Sequence, residues 1–150
     1  MIKILFVCHG NICRSPMAEF LLKDFVKKNN KENEFYIESA ATSSEEIGNG
    51  VHWGTKNILN SLGIDCSKKR ARKIVLSDYQ KFDYIIGMDE YNVMQMKHFF
   101  RKDDKINMLL EFTGISKGIS DPWYTGDFES TYNDVMIGIQ ALYKHIFKEK

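Results

Sequence analysis

The chain has 150 residues, 43% of them hydrophobic and 27% charged, with only two prolines. That is the composition of an ordinary globular domain, and it excludes a disordered or collagen-like protein. Its 21 Lys+Arg stand against 20 Asp+Glu, a formal net charge of +1, so no global field draws nucleic acid or anionic lipid, and any affinity for phosphate has to be local.

In chain order, residues 2–7 form a short apolar run that predicts a buried strand. The run is too short and too early for a signal peptide or membrane span, and no other segment approaches about twenty apolar residues. Ser15-Pro16 then supplies a candidate N-cap followed by proline at the first helical position. Met17, Phe20, Leu21 and Phe25 repeat at helical spacing behind it. A second strand is predicted over residues 35–39 and a helix over 51–62, which Gly63 can stop. Residues 83–88 predict a strand, 90–100 a helix and 105–110 a fourth strand. Residues 128–147 predict a long helix with Tyr132, Val135, Met136, Ile139, Leu142, Tyr143 and Ile146 on one face.

Met88, Met94, Met96, Met108 and Met136 are expected as core filler. The charge run Lys68, Lys69, Arg70, Arg72 and Lys73 is expected as solvated surface, with guidance of an anionic substrate as the functional alternative. With no repeat, linker or low-complexity tract, the reading is one domain over residues 1–150. Strands alternating with helices predict an α/β fold of three layers, a parallel sheet covered by helices on both faces, with ligands at the carboxyl ends of the strands. The first strand ends beside Cys8. Three cysteines, an odd number with Cys8 and Cys13 five positions apart, do not form a secreted disulfide framework and point to a reducing, cytoplasmic setting.

The segment Cys8-His9-Gly10-Asn11-Ile12-Cys13-Arg14-Ser15 lies between that strand and the first helix. Its peptide N–H groups can converge on one anion while the helix macrodipole adds positive potential. Gly10 permits a backbone conformation closed to other residues, and Asn11 tolerates the left-handed region or braces the loop with its amide. A free thiol with a pKa of about 8.5 is mostly protonated at neutral pH, but a helix N-terminus and a cationic neighbour lower that value. Cys8 is therefore expected to be a nucleophilic thiolate. Arg14, six positions on, can curl back and hold two phosphoryl oxygens in its planar fork, a geometry lysine lacks. Ser15 can donate its hydroxyl to the Cys8 sulfur. A zinc reading needs about four ligands, but beyond Cys8, Cys13 and His9 the candidates His52, Cys66, His98 and His145 are scattered singly. The nucleotide-binding string G-x-x-x-x-G-K-[ST] does not occur.

Val7-Cys8-His9-Gly10-Asn11-Ile12-Cys13-Arg14-Ser15-Pro16-Met17-Ala18-Glu19 closely resembles the N-terminal motif of low-molecular-weight protein tyrosine phosphatases. The likeness continues through Ser39-Ala40-Ala41-Thr42-Ser43, Glu46-Ile47-Gly48-Asn49, Ala71-Arg72, Met88-Asp89 and Asp121-Pro122-Trp123-Tyr124, and so covers nearly the whole chain. The resemblance implies a four-stranded parallel sheet of the Rossmann-like, phosphotyrosine phosphatase I-like kind. It implies hydrolysis of phosphotyrosine in proteins, or of small aryl phosphates, through a cysteinyl-phosphate, with no metal or cofactor. By the same resemblance Asp121 is the general acid and then the base for water, and Trp123 and Tyr124 wall the pocket. His9, Gly10, Asn11, Ile12, Cys13 and Ser15 surround the phosphate. Ser39 supports Asn11, Asp89 belongs to a supporting polar network, and Cys13 can form a reversible disulfide with Cys8.

Two positions depart from the family's better-known pattern. Glu45 stands where an aromatic side chain often borders the pocket, which puts an acidic group beside the substrate, and Lys69 stands where a histidine often joins the inner network. Expected partners are phosphorylated proteins rather than nucleic acid or membrane, with a monomeric or weakly self-associating chain. Three other readings stay open. A thiol-dependent arsenate reductase would need further cysteines after Cys66. A protein-arginine phosphatase of similar pattern tends to carry Thr in place of Ile12. A non-catalytic phosphate-binding module would have no need of Cys8, Arg14 and Asp121 together.

Overall fold

A central parallel sheet of four strands, in the order β2-β1-β3-β4, organises the protein. The computed structural model describes residues 1–148. The strands are β1 (Ile2–Cys8), β2 (Phe35–Ala41), β3 (Tyr84–Gly87) and β4 (Ile106–Met108). The helices are α1 (Arg14–Lys28), α2 (Trp53–Ser61), α3 (Asp78–Lys81), α4 (Glu90–Phe100), α5 (Pro122–Thr125) and α6 (Phe128–Lys148). Among these, no helix is long and apolar enough to cross a membrane.

Successive side chains of a strand point to opposite faces, and β1 feeds two cores in that way. Ile4 and Phe6 pack with Met17 and Leu22 of α1, Ile86 of β3, and Ile139 and Leu142 of α6. Leu5 and Val7 face the other side, with Phe82, Ile85 and, from α4, Met96 and Phe100. β1 is buried on both faces because helices cover both, which is why it reads as a continuous apolar run rather than an alternating one.

From β1 the chain moves outward to β2 and then crosses back to β3 on the opposite side. The carboxyl ends of β1 and β3 therefore flank the point where the winding reverses, the crevice in which open α/β sheets bind ligands. Val7 pairs with Gly87 there, and Cys8 with Ala41 of β2.

Several sequence expectations are corrected. α1 begins at Arg14 with Cys13 as its cap residue and no side-chain cap, so Ser15 is not the N-cap; its hydroxyl bonds Cys8 and Asn11 instead. β4 is shorter than residues 105–110, because Leu109–Thr113 turns into a 3-10 helix. Met94 is exposed rather than core. Lys69 and Arg72 are paired rather than free in solvent: Lys69 with buried Glu19, and the half-buried Arg72 with Glu38 and Asp78. The 90–100 helix forms as expected, started by a capping box between Asp89 and Asn92.

Candidate active site

The loop after β1 bends so that the Cys8 sulfur sits 3.0 Å from the Ser15 hydroxyl and 3.3 Å from the Asn11 backbone nitrogen. Asn11 provides the sharp turn, at φ 61°, while Gly10 stays outside the left-handed region. This corrects the role expected of Gly10. What it supplies is space, since a Cβ there would lie 3.3 Å from Cγ of Glu46. The left-handed conformation costs asparagine free energy, and its side chain is tied down on three sides. Asn11 Nδ2 donates to Ser15 Oγ at 2.7 Å and to Ser39 Oγ at 2.9 Å, and Oδ1 accepts from the Arg72 backbone N–H at 3.2 Å.

Behind this bracket lies a carboxylate the sequence reading did not assign. Ser39 Oγ donates to Glu19 Oε1 at 2.5 Å, and Lys69 Nζ reaches both the Ser39 carbonyl at 2.8 Å and Glu19 at 3.4 Å. Burial lowers the Lys69 pKa, and Glu19 opposes that shift. Glu19 is invisible to periodicity because it lies on the buried side of α1 among apolar residues. Its place in the bracket shows only in its partners Ser39 and Lys69, which lie far along the chain.

Arg14 is 2% exposed. Its Nη1 donates to Asp89 Oδ2 at 2.6 Å and to the Ile119 carbonyl at 2.8 Å, while Nη2 is 3.4 Å from Asp121 Oδ2. Burial disfavours the guanidinium charge, but Cys8, Asp89 and Asp121 outweigh it and raise the pKa. Asp89 follows β3 and Ile119 lies on the loop that carries Asp121. The fork is thus held from two elements. Gly118 lets that loop cross closely, since a Cβ there would come within 2.6 Å of Asp89 Cβ.

Asp121 caps α5, with Oδ1 accepting from Trp123 N–H at 3.0 Å, and Pro122 occupies the first turn. Its other oxygen points towards Arg14. α1 has no side-chain cap and no acidic residue in its first turn, so the positive end of its dipole faces the loop uncompensated.

These groups surround an open hollow at the carboxyl end of β1. Cys8, Gly10, Cys13 and Arg14 form its floor; Ile12 and Asp121 line its sides. His9, Glu45, Glu46, Trp123 and Tyr124 line its mouth, where His9 Nε2 and Glu45 Oε2 are 2.7 Å apart. Asn11 and Ser15, expected around the phosphate, stand behind the sulfur instead and brace it. Ser39 bonds Asn11, and Asp89 bonds Arg14. Glu46 was missed, although it adjoins Glu45. Cys8 and Cys13 are both free thiols. Burial first, and then the neighbouring Cys8 and Asp121, push the Cys13 pKa up to about 12.

Comparison with known proteins places the chain in a family. The family model for low molecular weight phosphotyrosine protein phosphatases matches residues 3–150. The chain is 39% identical over 154 residues to the Bacillus subtilis low molecular weight protein-tyrosine-phosphatase YfkJ, covering 100% of this chain and 99% of that protein. The YfkJ crystal structure superposes with a TM-score of 0.95, covering 100% of this chain and 97% of that one. A low molecular weight protein tyrosine phosphatase from Streptococcus pyogenes is 44% identical, with a TM-score of 0.87 and coverage of 97% and 93%. A Drosophila arginine phosphatase is 30% identical, with a TM-score of 0.90 and coverage of 97% and 98%. With a family match spanning nearly every residue, this chain belongs to the low molecular weight phosphotyrosine protein phosphatases.

Proposed function

We propose that the protein hydrolyses phosphotyrosine in phosphorylated proteins, and small aryl phosphates, by two in-line transfers through Cys8. In the first, the Cys8 sulfur attacks phosphorus and the bond to the aryl oxygen breaks. Asp121 delivers a proton to the departing oxygen, since expelling a phenolate whose conjugate acid has a pKa near 10 is slow without one. The Arg14 fork binds two equatorial oxygens, and the start of α1 adds its dipole where charge is spread in the transition state. A phosphoryl oxygen readily displaces the long Nη2 contact to Asp121, while the Asp89 and Ile119 contacts keep the fork oriented.

In the second transfer, water attacks the cysteinyl-phosphate, Asp121 takes its proton, and the Cys8–phosphorus bond breaks. Ser15 Oγ stabilises the sulfur as it leaves. The observation that most supports this reading is that Cys8, Arg14 and Asp121 line one hollow beside the uncapped start of α1.

The test is aryl phosphate hydrolysis at mildly acidic pH. Cys8→Ser should lower kcat by about ten-thousandfold or more, and Asp121→Ala by about a hundredfold. An undiminished Cys8→Ser enzyme refutes the assignment. The likeness to the Drosophila arginine phosphatase prompts a second reading, phosphoarginine hydrolysis. Ile12, apolar and at the side of the hollow, suits an aryl ring better than a guanidine. Paired phosphotyrosine and phosphoarginine peptides separate the two.

A further inference from the structure

The start of α2 grips the phosphate loop from outside. His52 donates its backbone N–H to the Ile12 carbonyl at 2.8 Å, and Thr55 Oγ1 donates to the Cys13 carbonyl at 3.1 Å. The His52 ring does two further things. Its Nδ1 accepts from Gly54 N–H at 3.1 Å, capping α2. Its faces and edges meet three aromatic rings: Phe128 stacked at 5.1 Å, Trp123 edge-on at 5.5 Å, and Trp53 tilted at 5.5 Å. Gly54 leaves room for Phe128, because a Cβ there would lie 2.5 Å from that ring.

Trp123 is therefore not held by its own loop alone. It is 57% exposed, and a side chain that open keeps one orientation only if something fixed supports it. The support is a ring whose own backbone is bonded to the loop that carries Cys8. We propose that His52 is a positioning residue for the substrate wall: its ring sets Trp123 while its N–H sets Ile12, so one residue fixes the distance from the aryl wall to the reacting sulfur. This deepens the phosphatase reading above and rests on it.

A test separates the two roles of the ring. His52→Asn keeps a good helix cap but removes the stack. Aromatic pairs of this kind contribute enough to change affinity about two- to tenfold, so KM for p-nitrophenyl phosphate should rise by about that factor. The inhibition constant for inorganic phosphate, which touches the loop and not the wall, should stay at the parent value. His52→Phe, which keeps a ring, should restore KM.

The decisive arm is a double-mutant cycle with Trp123→Ala. In that background His52→Asn should cost nothing more. A full additional rise there, or a phosphate constant that rises by the same factor as KM, overturns the proposal. Should His52→Asn not fold, the parent with phenylphosphonate bound gives the same answer. Trp123 is expected to contact both the ligand ring and His52, and a Trp123 swung away from His52 contradicts the proposal. A parent that hydrolyses no aryl phosphate refutes the phosphatase reading, whereas normal hydrolysis without coupling of His52 to Trp123 refutes this inference alone.

Discussion

The floor and the mouth of the pocket are built in opposite ways. On the floor and in the layer directly behind it, Cys8, Asn11, Arg14, Ser15 and Ser39 are all buried, and each polar side chain has a partner. Among the described residues, the only buried side-chain polar atom without one is Asn92 Nδ2. At the mouth, Trp123 and Tyr124 are 57% and 82% exposed, and the His9–Glu45 pair lies largely in solvent. Groups that act on the phosphoryl centre must be held within fractions of an ångström, and burial with fixed partners achieves that. Groups that choose a substrate can stand in water and change without collapsing the loop. Under the proposed mechanism, chemistry and specificity thus occupy different layers of one site.

Breaking the floor should be far more costly than altering the mouth. Arg14→Lys keeps the charge but loses the fork and the two-sided anchoring, so kcat/KM for aryl phosphate should fall by about a thousandfold. A loss under about tenfold would show that a point charge suffices. Asn11→Ala removes the side-chain brace that ties the loop to Ser15, Ser39 and the Arg72 backbone, while keeping the N–H that reaches the Cys8 sulfur. Unfolding in urea should reveal a loss of about 1–3 kcal/mol, with kcat reduced at least tenfold in parallel; full activity would sever bracing from catalysis.

The two floor cysteines sharpen the comparison from within. Iodoacetate reacts with thiolate, and the Cys13 pKa, pushed up to about 12, keeps that thiol protonated. Labelling at neutral pH should fall on Cys8, be blocked by phosphate, and spare Cys13. Cys13 also gives up its proton more readily unfolded than folded. Stability should therefore decline as pH rises from the ordinary thiol range towards about 12, and Cys13→Ser should flatten that slope. Smallest of all is the mouth. Glu45→Gln should improve kcat/KM about two- to fivefold for phosphopeptides with acidic neighbours, the scale of one exposed charge contact. The gain should vanish at high salt.

Much of the fold was legible because its main elements are long or strongly patterned: the apolar run of β1, the spaced apolar residues of α1 and the whole of α4. The four-residue helices α3 and α5 were not, since one turn carries no periodicity. At the site, Cys8 and Arg14 could be singled out because their residue types have narrow physical uses, whereas Asp89 entered only through the family resemblance. The site was misread where two uses compete. Ser15 before proline has the pattern of a helix cap, yet its hydroxyl is taken by sulfur and by Asn11. Lys69 and Arg72 lie in a charge run that looks solvated, because Glu19, Glu38 and Asp78, which pair with them, lie elsewhere in the chain. The His52 stack joins three segments, and local spacing carries no trace of it.

The most direct test of a sulfur that attacks phosphorus is to catch the bond. Rapid acid quenching of the enzyme during turnover of an aryl phosphate, followed by mass spectrometry of its peptides, should find one phosphoryl group on the peptide containing Cys8, and none in Cys8→Ser. Steady hydrolysis with no phosphorylated cysteine at any quench time, or a phosphoryl group on another residue, would contradict the account.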